Sequence, residues 1–235
     1  MEKVAAHVKG NTLFKSGDLE GAVAAYREAV SEYAKLGGGD PEKLAGSVQS
    51  NVALCLLQLE QYEEVITTCN ECLRLDWKNV KAYHRRGQAQ EALGRPELAW
   101  QDMRSVLKKV PDDAATCEAV DRLVRGFKFE PLGDYSFSDD NGKVKVYIDV
   151  PGLATQDDPD AHVAVDFGRK TLDLVAVDVA GLHHRMHAPG DLWGDIDVEK
   201  CSYKLKAGKD RVTITLVKKP GGSMSDRDWE SVRRL

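Results

Sequence analysis

The chain changes its hydrophobic rhythm near residue 126. Over residues 1–125, apolar positions recur at helical spacing among Ala, Leu, Glu, Gln and Lys, which predicts amphipathic helices. Over residues 142–218, apolar and polar positions alternate in KVKVYIDV, AHVAVDF, TLDLVAV and DRVTITLV, which predicts strands with one buried face. Gly, Pro, Asn and Asp turns separate those strands. Between the two halves lies FKFEPLGDYSFSDDNG. Its proline, two glycines and acidic cluster predict a linker over 126–140 that feeds the first long strand.

The helical half repeats itself. Gly87 falls 34 residues after Ala53, and Gly10 takes the same slot once nine extra residues are allowed in the glycine-rich AKLGGGDPE. Twelve residues after each anchor stand Ala22, Val65 and Ala99, and sixteen after stand Tyr26, Cys69 and Met103. Nineteen after stand Ala29, Cys72 and Val106, and Pro111 ends the third unit. Asp18, Asp40 before Pro41, and Pro96 mark helix starts.

A 34-residue helix–turn–helix unit with small residues at these slots resembles the tetratricopeptide repeat. The resemblance implies three repeats plus a closing helix over residues 1–125. One helical pair cannot bury its apolar face, whereas stacked pairs can, and the stack curls into a groove. The second half resembles the CS domain of small heat-shock protein 90 co-chaperones, Sgt-one-type adaptors and calcyclin-binding (Siah-interacting) proteins. KVKVYIDVPGL, VAVDFGRKTLDLVAV and CSYKLKAGKDRVTITLVKK, with Trp229 after them, carry that likeness. It implies an antiparallel sandwich of about seven strands over 141–220 and a tail over 221–235. The expected architecture is multidomain: an all-α tetratricopeptide superhelix followed by an all-β CS-type sandwich.

Repeat domains of the co-chaperone type hold a chaperone's C-terminal Glu-Glu-Val-Asp tail with a dicarboxylate clamp. Its last residue offers two carboxylates, which call for Lys, Arg and neutral amide donors. The resemblance carries the clamp onto Asn11 in KGN, Asn51 in SNVALC, and Lys81 with Arg85 in NVKAYHRRG. Lys81 and Arg85 are four residues apart and share one helix face. The family's further lysine falls on His7, mostly neutral at pH 7, which leaves carboxylate binding to Lys81 and Arg85. On the CS surface, Tyr135, Tyr147 and Lys218 lie near the strands that meet chaperone in Sgt-one-type adaptors. The residue that is aromatic there is Asp149 here.

Charge narrows the partners. A net charge of -5 argues against a protein that grips nucleic acid or anionic lipid broadly, and leaves room for a local basic pocket. Five cysteines without a secreted framework point to a reducing compartment. MEKVAAHVKG has no signal-peptide core and no apolar run reaches membrane-spanning length. The expected location is cytoplasmic, with the nucleus also open.

Other motifs carry blander readings. Cys69 and Cys72 resemble a redox or half-zinc pair, yet both fall on packing slots in mid-helix. His183, His184 and His187 need a carboxylate such as Asp178 or Asp191 to hold a metal. The acidic runs at 139–142 and 156–160 lack calcium-loop spacing and read as turns, with Asn141-Gly142 hairpin-like. No nucleophile–base arrangement, P-loop or dinucleotide turn stands out. The expectation is therefore a non-enzymatic adaptor without cofactors. Its groove would hold the tail of heat-shock protein 90 or 70, and its CS domain a second chaperone surface or client. The alternative is a scaffold for ubiquitin-ligase subunits.

Overall fold

The computed structural model describes residues 4–36, 39–132, 135–140, 142–168, 171–188, 196–206 and 208–219. The chain divides into two compact units, Met1–Gly126 and Phe127–Leu235.

The first unit is helical: α1 (Ala5–Ser16), α2 (Leu19–Leu36), α3 (Gly39–Gln58), α4 (Tyr62–Leu75), α5 (Val80–Ala92), α6 (Pro96–Leu107) and α7 (Ala114–Gly126). Local chemistry sets the ends. Gly17 closes α1 with φ 84°, a left-handed turn that glycine adopts without strain. Asp18 Oδ1 then accepts from the Gly21 N–H at 2.9 Å at the head of α2. Asn79 Oδ1 accepts from the Ala82 N–H at 3.1 Å ahead of α5, and Pro96 opens α6.

Each helix packs on the next, and α3 also meets α5, as stacked helical pairs require. The repeat slots form the seam. Ala22, Val65, Ala99, Ala29 and Cys72 are fully buried, as are Tyr26, Cys69, Met103 and Val106 to within 2%. Gly10 lets α2 come close to α1. A Cβ there would lie 2.5 Å from the Tyr26 ring, so any other residue would push that ring away.

The second unit is a two-sheet sandwich. Its strands are β1 (Phe129–Pro131), β2 (Tyr135–Asp140), β3 (Lys143–Asp149), β4 (Val163–Phe167), β5 (Leu172–Val179), β6 (Leu182–Ala188), β7 (Ser202–Leu205) and β8 (Arg211–Val217). One sheet runs β1-β6-β5-β4 and the other β2-β3-β8-β7. Period-two alternation turns Val144, Val146 and Ile148 inward against Leu172, Leu174, Ile214 and Leu216.

Three details differ from the sequence reading. The stretch 126–140, expected as a linker, holds β1 and β2. Tyr135 and Phe137 pack on the sandwich core, and alternation in DYSFSD already carried that signal. The described residues hold eight strands where about seven were expected, and β1 pairs with β6 in parallel within the otherwise antiparallel sandwich. Trp229 with the tail 221–235, Asn141 of the predicted turn, and Asp191 lie outside the described residues.

Candidate peptide-binding groove

Helix α5 presents Lys81, His84, Arg85 and Gln88 along one face, at spacings of three and four residues. They line a cleft of about 430 Å³ closed by Leu54 of α3, Val106 of α6, and Val110, Asp113 and Ala115 around the start of α7. Its floor is therefore aliphatic and its rim cationic. That suits a short extended chain with a terminal carboxylate and an apolar side chain beside it.

Lys81 is exposed, and among the described residues no hydrogen bond or ion pair engages it. Arg85 is half-buried. Its Nη1 donates to the Ser50 carbonyl and to Ser50 Oγ, the latter at 2.5 Å. Burial lowers the guanidinium pKa, yet an arginine there keeps its charge. Asn51 follows Ser50 on α3, one helical turn before cleft-lining Leu54, and is partly exposed. Asn11 sits on α1, where its Oδ1 accepts from the Tyr26 hydroxyl at 2.9 Å.

His7 departs from the expected role. It is only 4% exposed, and its Nδ1 meets the Tyr33 hydroxyl at 3.1 Å. The ring also packs edge-on against Tyr26 and Tyr33. A side chain held in the helical core is not presented to a groove ligand.

Two groups in the cleft escaped the sequence reading. Asp113 caps α7, its Oδ2 accepting from the Thr116 N–H at 3.0 Å and from the Thr116 hydroxyl at 2.5 Å. Those bonds hold its carboxyl below the usual range, so the cleft also carries one negative charge. Burial lowers the His84 pKa, keeping that ring neutral near pH 7. The signal for Asp113 was present: an Asp three residues before Thr116 at a helix start.

The remaining candidates take structural roles. Cys69 and Cys72 are buried in mid-α4, and burial pushes their thiols up to about 12 and about 11, away from redox chemistry. His183 Nδ1 accepts from the Asp178 N–H at 3.0 Å, bracing the irregular end of β5 where Asp178 has φ 55°. His184 is buried on the inner side of β6, and His187 Nδ1 lies 3.5 Å from Asp173, which Arg185 also engages at 2.7 Å.

On the sandwich, Tyr147 alone of the three surface candidates stands on an outer face, its hydroxyl 3.4 Å from Ser138 Oγ. Tyr135 turns inward onto the core, because odd positions of β2 oppose the inward positions of β3. Lys218 is tied to Asp139 at 2.7 Å on that same inner side, so neither is free-standing surface chemistry. Asp149 forms a two-point ion pair with Arg211, at 2.7 and 2.9 Å.

Seven packed helices with a cation-rimmed cleft, then a two-sheet sandwich, define a helical-repeat protein joined to a β module. Residues 5–35 match the tetratricopeptide repeat family model, and residues 133–218 match the CS domain model. The chain thus joins a tetratricopeptide-repeat unit to a CS domain. The peptidyl-prolyl cis-trans isomerase FKBP42 of Arabidopsis thaliana is 38% identical over 117 residues, which are 45% of this chain and 31% of that protein. The HSP-interacting protein of Zea mays is 32% identical over 117 residues, 49% of this chain and 15% of that one. The chain therefore spans about a third or less of these relatives. The solved first TPR of Spaghetti (RPAP3) bound to HSP90 peptide SRMEEVD is 26% identical with a TM-score of 0.46, covering 51% of this chain and 88% of that one.

Proposed function

We propose that this chain is a non-enzymatic co-chaperone adaptor whose helical groove binds the acidic C-terminal tail of heat-shock protein 90 or 70. The observation that carries the reading is the cleft of α5, where Lys81 and Arg85 stand four residues apart over an aliphatic floor. Two cations answer the two carboxylates of a terminal aspartate, and the floor accepts the aliphatic residue before it. Asn11 on α1 and Asn51 on α3 lie outside the lining of that cleft, and in this reading they offer neutral amides further along the groove. The name of the maize relative, HSP-interacting protein, agrees with this partner. The CS sandwich supplies a second contact, to another chaperone surface or to a client. Joining two modules on one chain raises the effective concentration of the second contact.

Calorimetry of the full chain with a peptide ending in MEEVD tests the reading. Lys81→Ala and Arg85→Ala each remove a charge-assisted bond of roughly 1.5–3 kcal/mol, so affinity falls about ten- to a hundred-fold. Amidating the peptide's C-terminus has the same effect. Unchanged affinity in both variants sinks the clamp.

A further inference from the structure

Asn11 is held from below. Its Oδ1 lies 2.9 Å from the hydroxyl of Tyr26, a residue of α2 that is only 2% exposed. Burial raises the Tyr26 phenol above its usual range, so it remains a protonated donor. A buried O–H without an acceptor is costly, and among the described residues Asn11 Oδ1 is the acceptor it meets. This settles which end of the amide faces the core. The oxygen points down to Tyr26, and the NH₂ group, with two donors, points away from it.

The internal repeat shows that this pair is not a packing requirement. Tyr26 shares its slot with Cys69 and Met103, which fill the same buried position without a hydroxyl. The residue after each anchor is Asn11 in the first unit but Leu54 and Gln88 in the others. The donor at sixteen residues and the amide at one residue occur together in the first unit alone. Gly10 completes the arrangement, since any Cβ there would fall 2.5–2.6 Å from the Tyr26 ring.

We propose that Tyr26 is a positioning residue for tail recognition: it fixes the Asn11 amide so that its NH₂ group is presented to a ligand carboxylate before binding. This rests on the reading of the groove as a tail-binding site. Asn and carboxylate are matched only when the amide offers nitrogen, and a rotated amide would set oxygen against oxygen. Presetting it removes both that mismatch and the ordering cost on binding.

The test is calorimetry and side-chain amide NMR on the full chain with the free-acid MEEVD peptide and its amidated form. Tyr26→Phe is expected to weaken the free acid about three- to tenfold, Asn11→Ala to do the same, and the double variant to add nothing further. In the wild type, the Asn11 side-chain N–H signals shift with the free acid. In Tyr26→Phe that shift shrinks, a readout that packing alone does not move. Equal affinity in Tyr26→Phe with an unchanged Asn11 shift overturns the proposal while the groove reading stands, provided Arg85→Ala still loses binding. If the wild type binds neither peptide, the groove reading itself falls. Should Tyr26→Phe not fold, the wild-type Asn11 signals decide: no shift with the free acid overturns the proposal.

Discussion

Arg85 Nη1 donates to both the main-chain carbonyl and the hydroxyl of Ser50, joining α5 to α3 across 35 residues of sequence. Ser50 is only 2% exposed, so the tether sits beneath the cleft and leaves the other guanidinium nitrogens for a ligand. Ser50→Ala removes the hydroxyl half of the tether. The expected result is a tail affinity about three- to tenfold weaker, with no further loss when the change is added to Arg85→Ala. Calorimetry of the four variants in a cycle checks it. A loss that persists in the Arg85→Ala background would falsify the tether.

The neighbouring arginine points the other way. Arg86 grips Asp102 of α6 with two bonds, at 2.9 and 2.6 Å, and reaches Asn70 of α4 at 2.5 Å. Asp102 is 5% exposed, so removing Arg86 strands a buried carboxylate. Arg86→Met is expected to destabilise the helical unit by about 3–5 kcal/mol, read as a lower urea midpoint. Replacing both residues with apolar ones of similar volume recovers part of that loss. A double variant as unstable as the worse single variant contradicts the stranded-charge account.

Much of this architecture is written locally in the chain. The repeat slots were legible because a buried helical crossing needs small or fitted side chains at fixed spacing, and Ala22, Ala29, Ala99 and Cys72 obey it. The strands were legible because one face of each is buried. β1 was not, because three residues carry no period and its pairing with His183–Arg185 is set by distant chain. His7 misled for a related reason. The resemblance implies a clamp role for its slot in α1, while Tyr33, 26 residues away, draws the ring into the core. Lys81 and Arg85 could be placed on one face from spacing alone, whereas Ser50 beneath Arg85 depends on how α3 meets α5.

Acid is expected to weaken the fold through two histidines withdrawn from water, one buried and one half-buried. Burial lowers the pKa of His184 on the inner side of β6, and likewise that of His84 in the helical cleft. A folded-state pKa below the unfolded value of about 6.5 means that the unfolded chain takes up protons first as pH falls. The stabilising effect of keeping these rings neutral is therefore present above about pH 6.5 and is lost on acidification below it. Melting temperature is expected to drop between about pH 7.5 and about pH 5.5, with a shallower drop in His184→Gln. A flat profile across that window contradicts the assignment.

Asp113 sets a conflict between stability and binding. Its carboxyl caps α7 through Thr116, and the same side chain lines the cleft that holds Lys81 and Arg85. An anionic ligand entering there meets one like charge. Asn caps helices about as well as Asp, so Asp113→Asn keeps the bond to the Thr116 N–H while removing the charge. The expected outcome is an unchanged melting temperature near neutral pH and an affinity for the free-acid tail about two- to fivefold tighter. Because the effect is Coulombic across a wet rim, it shrinks as salt rises. Asp113→Ala separates the two roles. It gives the same gain in affinity but loses the cap, so melting temperature falls. Calorimetry at low and high salt, beside thermal melts of both variants, checks each part. If Asp113→Asn binds the tail no better than the wild type at low salt, the ligand's carboxylates lie away from this end of the cleft.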